Sequence, residues 1–211
     1  ILFKELEGSI GRNTKFIPQT KRVEKTNSSS VDELHLRSVK VDDYDTEDRL
    51  VQHAWAFLYE RHLFNLETGD SKYYVSTKGR YAGRLIIPFE EDSQIFYFQA
   101  RTLGDETPKY LNPTDTWPRP SHILYPFNDE ADHLVICEGP LDAISLQIQG
   151  VNATCTMGCS VSEYQVEALK EFEGKIIIGY DNDDAGKRGV NKFDYLRRIK
   201  RMADPYICHP P

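Results

Sequence analysis

An α+β N-terminal subdomain followed by an α/β domain, with a central parallel sheet flanked by helices, is the architecture that three features of this 211-residue sequence predict. After His133, short β-branched runs alternate with amphipathic segments in the order β-α-β-α-β-α-β, which sets strands side by side with helices on the sheet faces. Between Lys72 and Arg101 the apolar period is that of strands, after a single helical segment. A stretch carrying Pro108, Pro113, Pro118 and Pro120 joins the two patterns and reads as a long loop or linker. The expected divisions are 1–44, a poorly structured segment; 45–130, the α+β subdomain; and 131–211, the α/β domain.

Residues 1–44 are polar and weakly periodic, and "TNSSSVDE" reads as a flexible loop. Asp45 or Thr46 opens "DTEDRLVQHAWAFLYERHL", where Leu50, Ala54, Phe57 and Leu58 recur at helical spacing behind an acidic first turn. "KYYVST", "GRLIIPFE" and "IFYFQAR" are expected strands. The last two form an antiparallel hairpin turning at "EDSQ". Phe96, Tyr97, Phe98 and Tyr110 are expected mostly in the core, with base stacking as the alternative.

In the α/β half, "HLVICE" is a strand, Gly139 a turn, and "PLDAISLQIQ" a helix facing inward through Leu141, Ile144 and Ile148. "VNATCTM" is a strand, followed by a helix opened by Ser160 with Glu163 three residues on, the pattern of a capping box, and ended by Gly174. "KIIIGYD" is a strand, then "DAGKRGVNKFDYLRRIKRM" a helix with Val190, Phe193, Leu196 and Ile199 inward, then "PYICHP" a last strand.

No segment approaches the roughly 18 consecutive apolar residues of a membrane span, and no signal-like opening is present, so no membrane partner is expected and a cytoplasmic setting is the default. The first residue is Ile1 rather than Met, as expected of a fragment. Cys137, Cys155, Cys159 and Cys208 form no C-x-x-C pair of zinc-site spacing, so no zinc is expected in this chain. The net charge of −7 argues against nucleic acid on average, yet Lys187, Arg188, Lys192, Arg197, Arg198, Lys200 and Arg201 cluster against Asp194 alone.

Two apolar strands end in acids. "LVICE" delivers Glu138, with Asp142 in the helical turn that follows, and "IIIGYD" delivers Asp181 and then Asp183. Ligands bind beyond the carboxyl ends of strands in open α/β sheets, so these carboxylates are expected on one edge. An oxygen-only set suits Mg²⁺ or Mn²⁺, and a divalent ion offsets the mutual repulsion of the acids. Asp184 is expected to cap the following helix. An EF-hand loop fails, because Ala185 and Lys192 stand at its fifth and twelfth positions. A haloacid-dehalogenase-like phosphatase fails too, with Ala185 where Thr or Val belongs and the motif late in the chain.

"EGPLD" (Glu138, Gly139, Asp142) followed by "YDNDDAGKRG" (Asp181, Asp183, Gly186) resembles a Toprim domain, shared by primases, topoisomerases and certain nucleases. Upstream, "GRLIIPFEEDSQIFYFQARTLGDETPKYLNP" and "ILYPFNDEADHLVICEG" resemble the catalytic core of bacterial-type or phage, DnaG-like DNA primases, a match over about residues 70 to 205. The resemblance implies Glu138, Asp181 and Asp183 as catalytic residues holding two Mg²⁺ or Mn²⁺ ions during catalysis, with Asp142 as a further ligand. It implies Arg84, Arg101, Lys109 and Asn112 as contacts to nucleotide or template. Lys187 and Arg188 join them as candidates of even standing. The implied partners are a single-stranded DNA template, ribonucleoside triphosphates, the RNA–DNA hybrid product and a replicative helicase of the primosome. The zinc ribbon usual before such cores and the acidic motif usual after the last strand are not in this sequence. A Toprim nuclease, the primase part of a larger primase-helicase, a topoisomerase and a catalytically idle binding module are the rival readings.

Overall fold

In the computed structural model, residues 13–16, 38–41, 47–63, 72–91, 94–114 and 118–208 are described. Strands β1 (Asn13–Phe16) and β2 (Ser38–Lys40) precede helix α1 (Arg49–Glu60). Strands β3 (Tyr74–Ser76), β4 (Arg84–Glu91), β5 (Gln94–Thr102), β6 (Tyr110–Leu111), β7 (Ile123–Phe127) and β8 (His133–Cys137) follow. Then helix and strand alternate: α2 (Pro140–Ile148), β9 (Ala153–Cys155), α3 (Glu163–Lys170), β10 (Lys175–Ile178), α4 (Asp184–Ile199) and β11 (Tyr206–Ile207). The chain divides into two compact units, one holding β1 and everything from Pro118 on, the other holding the described residues between them.

In the second unit, β2-β3-β4-β5-β6 form an antiparallel sheet. The expected hairpin is its centre, paired from Arg84↔Thr102 to Glu91↔Gln94, with a register shift between Phe89 and Glu90. Alternation sends Ile86, Phe98 and Ala100 to one face, where Tyr81 meets Phe98 edge-on at 5.1 Å. Helix α1 is capped by Asp48, whose Oδ1 accepts from Leu50 N at 2.9 Å, and it buries Val51, Ala54 and Leu58. Leu50 and Phe57 are only half-buried. The expected start at Asp45 or Thr46 and the "TNSSSVDE" loop lie outside the described residues.

The other unit is a six-stranded sheet ordered β1-β7-β9-β8-β10-β11. Its centre, β9-β8-β10-β11, is parallel as expected. Strand β7 pairs antiparallel with β9 and β1 antiparallel with β7, so the whole sheet is mixed. "ILYPF" is a strand that its sequence does not announce, because Pro126 interrupts it and prolines precede it, and proline weakens a strand signal. For β1, β2 and β6, two to four residues are too few to show a period.

Burial along β8 explains the layering. Leu134 and Ile136, with Ile176 and Ile178 of β10, point to the face covered by Val166 and Leu169 of α3 and by Phe193 and Leu196 of α4. Cys137, with Ala153 and Cys155 of β9, points to the opposite face under Ala143 of α2. Period-two alternation thus places helices on both faces.

Four local expectations are corrected. Ser162, not Ser160, caps α3: its Oγ accepts from Gln165 N at 3.1 Å and its own N–H donates to Gln165 Oε1 at 2.9 Å. Asp183, not Asp184, caps α4, accepting from Gly186 N at 2.8 Å. Ile148 is 39% exposed and Ile144 half-buried, because β9 beneath α2 is only three residues long. Ile199 is 57% exposed in the last turn of α4.

Candidate functional site

Strand order decides where a site can form. The chain passes from β8 through α2 to β9 on one side, then crosses back through α3 to β10 on the other side of β8. That reversal opens a crevice beyond the carboxyl ends of β8 and β10, where open α/β sheets bind ligands. Pairing of Ile136 with Ile178 levels the two strand ends, and Gly179 N donates to Ile136 O at 2.9 Å. Glu138 follows β8 directly and Asp181 lies just past β10. The Asp181 N–H donates to Glu138 Oε1 at 3.3 Å.

Electrostatics tie four carboxylates together. Burial pushes the Glu138 carboxyl above the usual range, and the charges of Asp181, Asp183 and Asp142 push it the same way against the Asp181 N–H. Asp181, Asp183, Asp184 and Asp142 are exposed. The crowding in "DNDDAG" is offset in part by the cap at Asp183 and by the positive end of the helix dipole.

Among the described residues, no three His, Cys, Asp or Glu close into a metal cage. Mg²⁺ binds through one or two carboxylates plus waters and substrate phosphates rather than in such a cage, so an open carboxylate edge fits it. Cys137, next to Glu138, is pushed up to about 12, by burial first and then by Asp142 and Asp181. Cys137 packs beneath α2 with Ala143, Ala153 and Cys155, so the donors at the strand ends are carboxylate oxygens.

Gly186, a residue of the sequence motif, closes the crevice together with Gly189, Thr156, Gly158 and Tyr180, which the sequence does not single out. A Cβ on Gly186 would overlap the Asp181 carbonyl oxygen and stand 3.0 Å from Glu138 Oε1, so only glycine lets α4 begin here. A Cβ on Gly189 would overlap the Cys159 carbonyl oxygen and stand 2.9 Å from the Tyr180 ring. The loop after β9 is stitched to both neighbours: Thr156 N donates to Cys137 O at 3.1 Å, Gly158 N to Glu138 O at 2.8 Å, and the Thr156 and Tyr180 hydroxyls meet at 3.0 Å. The G-x-x-G spacing in "DAGKRG" was the available signal.

The expected cationic residues fall in two groups. Lys187 and Arg188 are exposed in the first turns of α4. In the antiparallel unit, Arg84 and Arg101 are each 8% exposed. Arg84 Nη1 donates to Pro108 O at 3.0 Å and Lys109 O at 3.3 Å, which fixes the loop carrying the exposed Lys109. Arg101 donates to the Tyr110 hydroxyl at 2.7 Å and lies over the Phe57 ring at 5.0 Å. Asn112 Oδ1 accepts from Gln99 Nε2 at 2.9 Å. Tyr97 and Phe98 are fully buried, whereas Phe96 and Tyr110 are half-buried.

Comparison with known proteins agrees with this geometry. Residues 135–210 match the Toprim-like family model. The chain is 34% identical over 127 residues to a DNA primase of Clostridium acetobutylicum, a match covering 56% of this chain and 21% of that protein. It is similar in structure to the DnaG catalytic core, with a TM-score of 0.66, 21% identity, and coverage of 86% of this chain and 71% of that one. A DnaG primase catalytic domain bound to single-stranded DNA gives a TM-score of 0.63 at 20% identity, covering 86% of this chain and 72% of that one. The chain has the fold of the DnaG primase catalytic core and is related in sequence to bacterial DNA primases. It spans about a fifth of the length of the curated relatives it matches.

Proposed function

We propose that this chain is the RNA polymerase core of a DNA primase, synthesising short RNA primers on single-stranded DNA from ribonucleoside triphosphates during DNA replication. The observation that carries this reading is Glu138, held under the charge of three aspartates at the switch point of a Toprim-like sheet. Glu138, Asp181 and Asp183, with Asp142 beside them, would hold divalent ions, which would supply charge stabilisation of the attacking and leaving oxygens of an in-line displacement. Glu138 keeps its proton more tightly than an ordinary glutamate, so cation binding displaces that proton and strengthens as pH rises. Lys187 and Arg188 offer exposed cations to the triphosphate beside these acids, and in the antiparallel unit the exposed Lys109 is of the type that meets a phosphate backbone. Arg84 and Arg101, turned inward, fix the Lys109–Asn112 segment that meets nucleotide or template.

The ions are Mg²⁺ or Mn²⁺, two during catalysis. The partners are a single-stranded template, as bound in the solved DnaG domain, the RNA–DNA hybrid it becomes, and a replicative helicase of the primosome. The setting is the cytoplasm of a bacterium or of a cell infected by a bacteriophage. No helix among the described residues is long and apolar enough to cross a membrane. The test is incubation with single-stranded DNA, labelled ribonucleotides and Mn²⁺, beside an Asp181→Asn variant. Oligoribonucleotides made by the wild type alone support the reading. Cut DNA without synthesis replaces it with a Toprim-type nuclease.

A further inference from the structure

The outer face of α4 has no part in the core. Gly189, Phe193 and Leu196 take its inner face, while Arg188, Lys192, Tyr195 and Arg198 recur at i, i+4, i+7 and i+10 on the opposite side. Tyr195 is the most exposed of the large apolar side chains among the described residues, at 64%, and it lies one turn from a cation in each direction. Arg198 stays 70% exposed although Asp194 holds it at 2.9 Å. Lys192 Nζ reaches Ser160 Oγ at 2.6 Å and is exposed. Asp194 is half-buried on the flank and also holds Arg197, at 2.6 Å, and Asp184 opens the face beside the acidic site. Asn191 and Ile199, exposed on the same side, carry no charge.

We infer that this stripe is a track for single-stranded nucleic acid leaving the acidic site, with Tyr195 as a stacking platform and Arg188, Lys192 and Arg198 on the phosphates. Two observations select that occupant. The face is cationic on a chain of net charge −7, and it is continuous with the acidic site, since α4 starts at Asp183. At 1.5 Å per residue, Arg188 to Arg198 spans about 15 Å, room for about four nucleotides at 3.4 Å each. An exposed aromatic flanked by cations matches how strands are bound without sequence preference, bases on rings and phosphates on cations.

The inference rests on the proposed primase reading, and its test is separable from it. The whole 211-residue chain is titrated with a fluorescein-labelled oligothymidylate across a salt series, as wild type, as Lys192→Gln/Tyr195→Ala/Arg198→Gln, and as Tyr195→Ala and Tyr195→Phe alone. All three positions are exposed, so unchanged thermal midpoints verify folding. The triple variant is expected to lose at least tenfold in affinity, with a salt slope shallower by about 1.4 for two phosphate contacts. Tyr195→Ala alone is expected to lose roughly 5- to 150-fold, the loss of one base stack, and Tyr195→Phe to bind within twofold of wild type. A triple variant that binds within twofold of wild type at an unchanged slope overturns the inference, as does a wild type that does not bind. Stripe-dependent binding by a wild type that makes no primers keeps the stripe and removes the primase reading. Primer synthesis with stripe-independent binding does the reverse.

Discussion

Replacing Gly186 by alanine sets helix propensity against site geometry, and the two predict opposite signs. Alanine is favoured over glycine within a helix by about 1 kcal/mol, so propensity alone predicts a more stable protein. The new Cβ, however, would overlap the Asp181 carbonyl oxygen and stand 2.9 Å from its carbonyl carbon and 3.0 Å from Glu138 Oε1. The first two atoms are backbone and cannot swing aside. The start of α4 must back away, and the first bond to go is the cap from Gly186 N to Asp183 Oδ1, now 2.8 Å. Losing a cap costs about 1 kcal/mol and overpacking roughly 1–3 kcal/mol, so the net expectation is a loss of about 1–3 kcal/mol. Urea unfolding reads it as a lower midpoint at unchanged slope. The stabilisation conferred by Mn²⁺ should fall at the same time, because the retreat of α4 carries Asp183 away from Asp181 and Glu138. Gly150→Ala is the control: its φ of +82° makes alanine cost roughly 1–2 kcal/mol, but a Cβ there meets nothing within 4 Å, so the Mn²⁺ response should persist. A Gly186→Ala protein as stable as wild type, with an intact Mn²⁺ response, would refute the reasoning.

Glu138→Gln should raise the thermal midpoint of the metal-free protein at neutral pH and abolish its rise with Mn²⁺. The raised carboxyl of Glu138 means that the folded state binds the proton more tightly than the unfolded chain does. Its contribution is therefore most favourable below the ordinary glutamate value and is lost as pH rises through the raised one. The advantage of Gln over wild type should grow across that window and then level; a constant difference from acid to neutral pH would contradict it. His122 carries the opposite sign. Burial first, and then the nearby Arg119, lower its imidazole below the ordinary range, so wild-type stability should drop as pH falls below the usual histidine value. His122→Gln should lose that part of the pH dependence, and a curve parallel to wild type would count against it. Phe193→Ala, which empties a fully buried position beneath the sheet, should cost about 3–5 kcal/mol in urea unfolding. A cost under 1 kcal/mol would mean that α4 does not anchor the site.

The elements with a long hydrophobic period were legible in the sequence. The unbroken apolar runs in "HLVIC" and "KIII", with helices between, were enough to place Glu138 and Asp181 on one edge, because neighbouring parallel strands level their carboxyl ends. What the sequence did not show depends on pairing partners far along the chain. β7 is a strand because β9 and β1 lie beside it, and its own residues, with Pro126 among them, say otherwise. Caps slid by a residue or two for the same reason. Ser160 and Ser162 both match a cap by type, and only Gln165, answering Ser162 at both ends of the box, decides between them. Glycine at 186 and 189 was visible as a residue but not as a need, since the overlap it avoids is with Asp181 and Cys159, brought close by the crossing of α4 over the strand ends. The inward turn of Arg84 and Arg101 was equally hidden, because it depends on the loop at Pro108–Lys109 and on Phe57 from another element.

If the ends of β8 and β10 hold one divalent-ion site, removing a carboxylate from either strand must weaken it. Mn²⁺ titration of the wild-type chain followed by electron paramagnetic resonance, beside Asp181→Asn and Glu138→Gln, tests it most directly. Saturable binding by the wild type that tightens as pH rises is expected, with at least a tenfold loss in each variant, although the two residues lie on different strands. Equal Mn²⁺ affinity in wild type and both variants would contradict it.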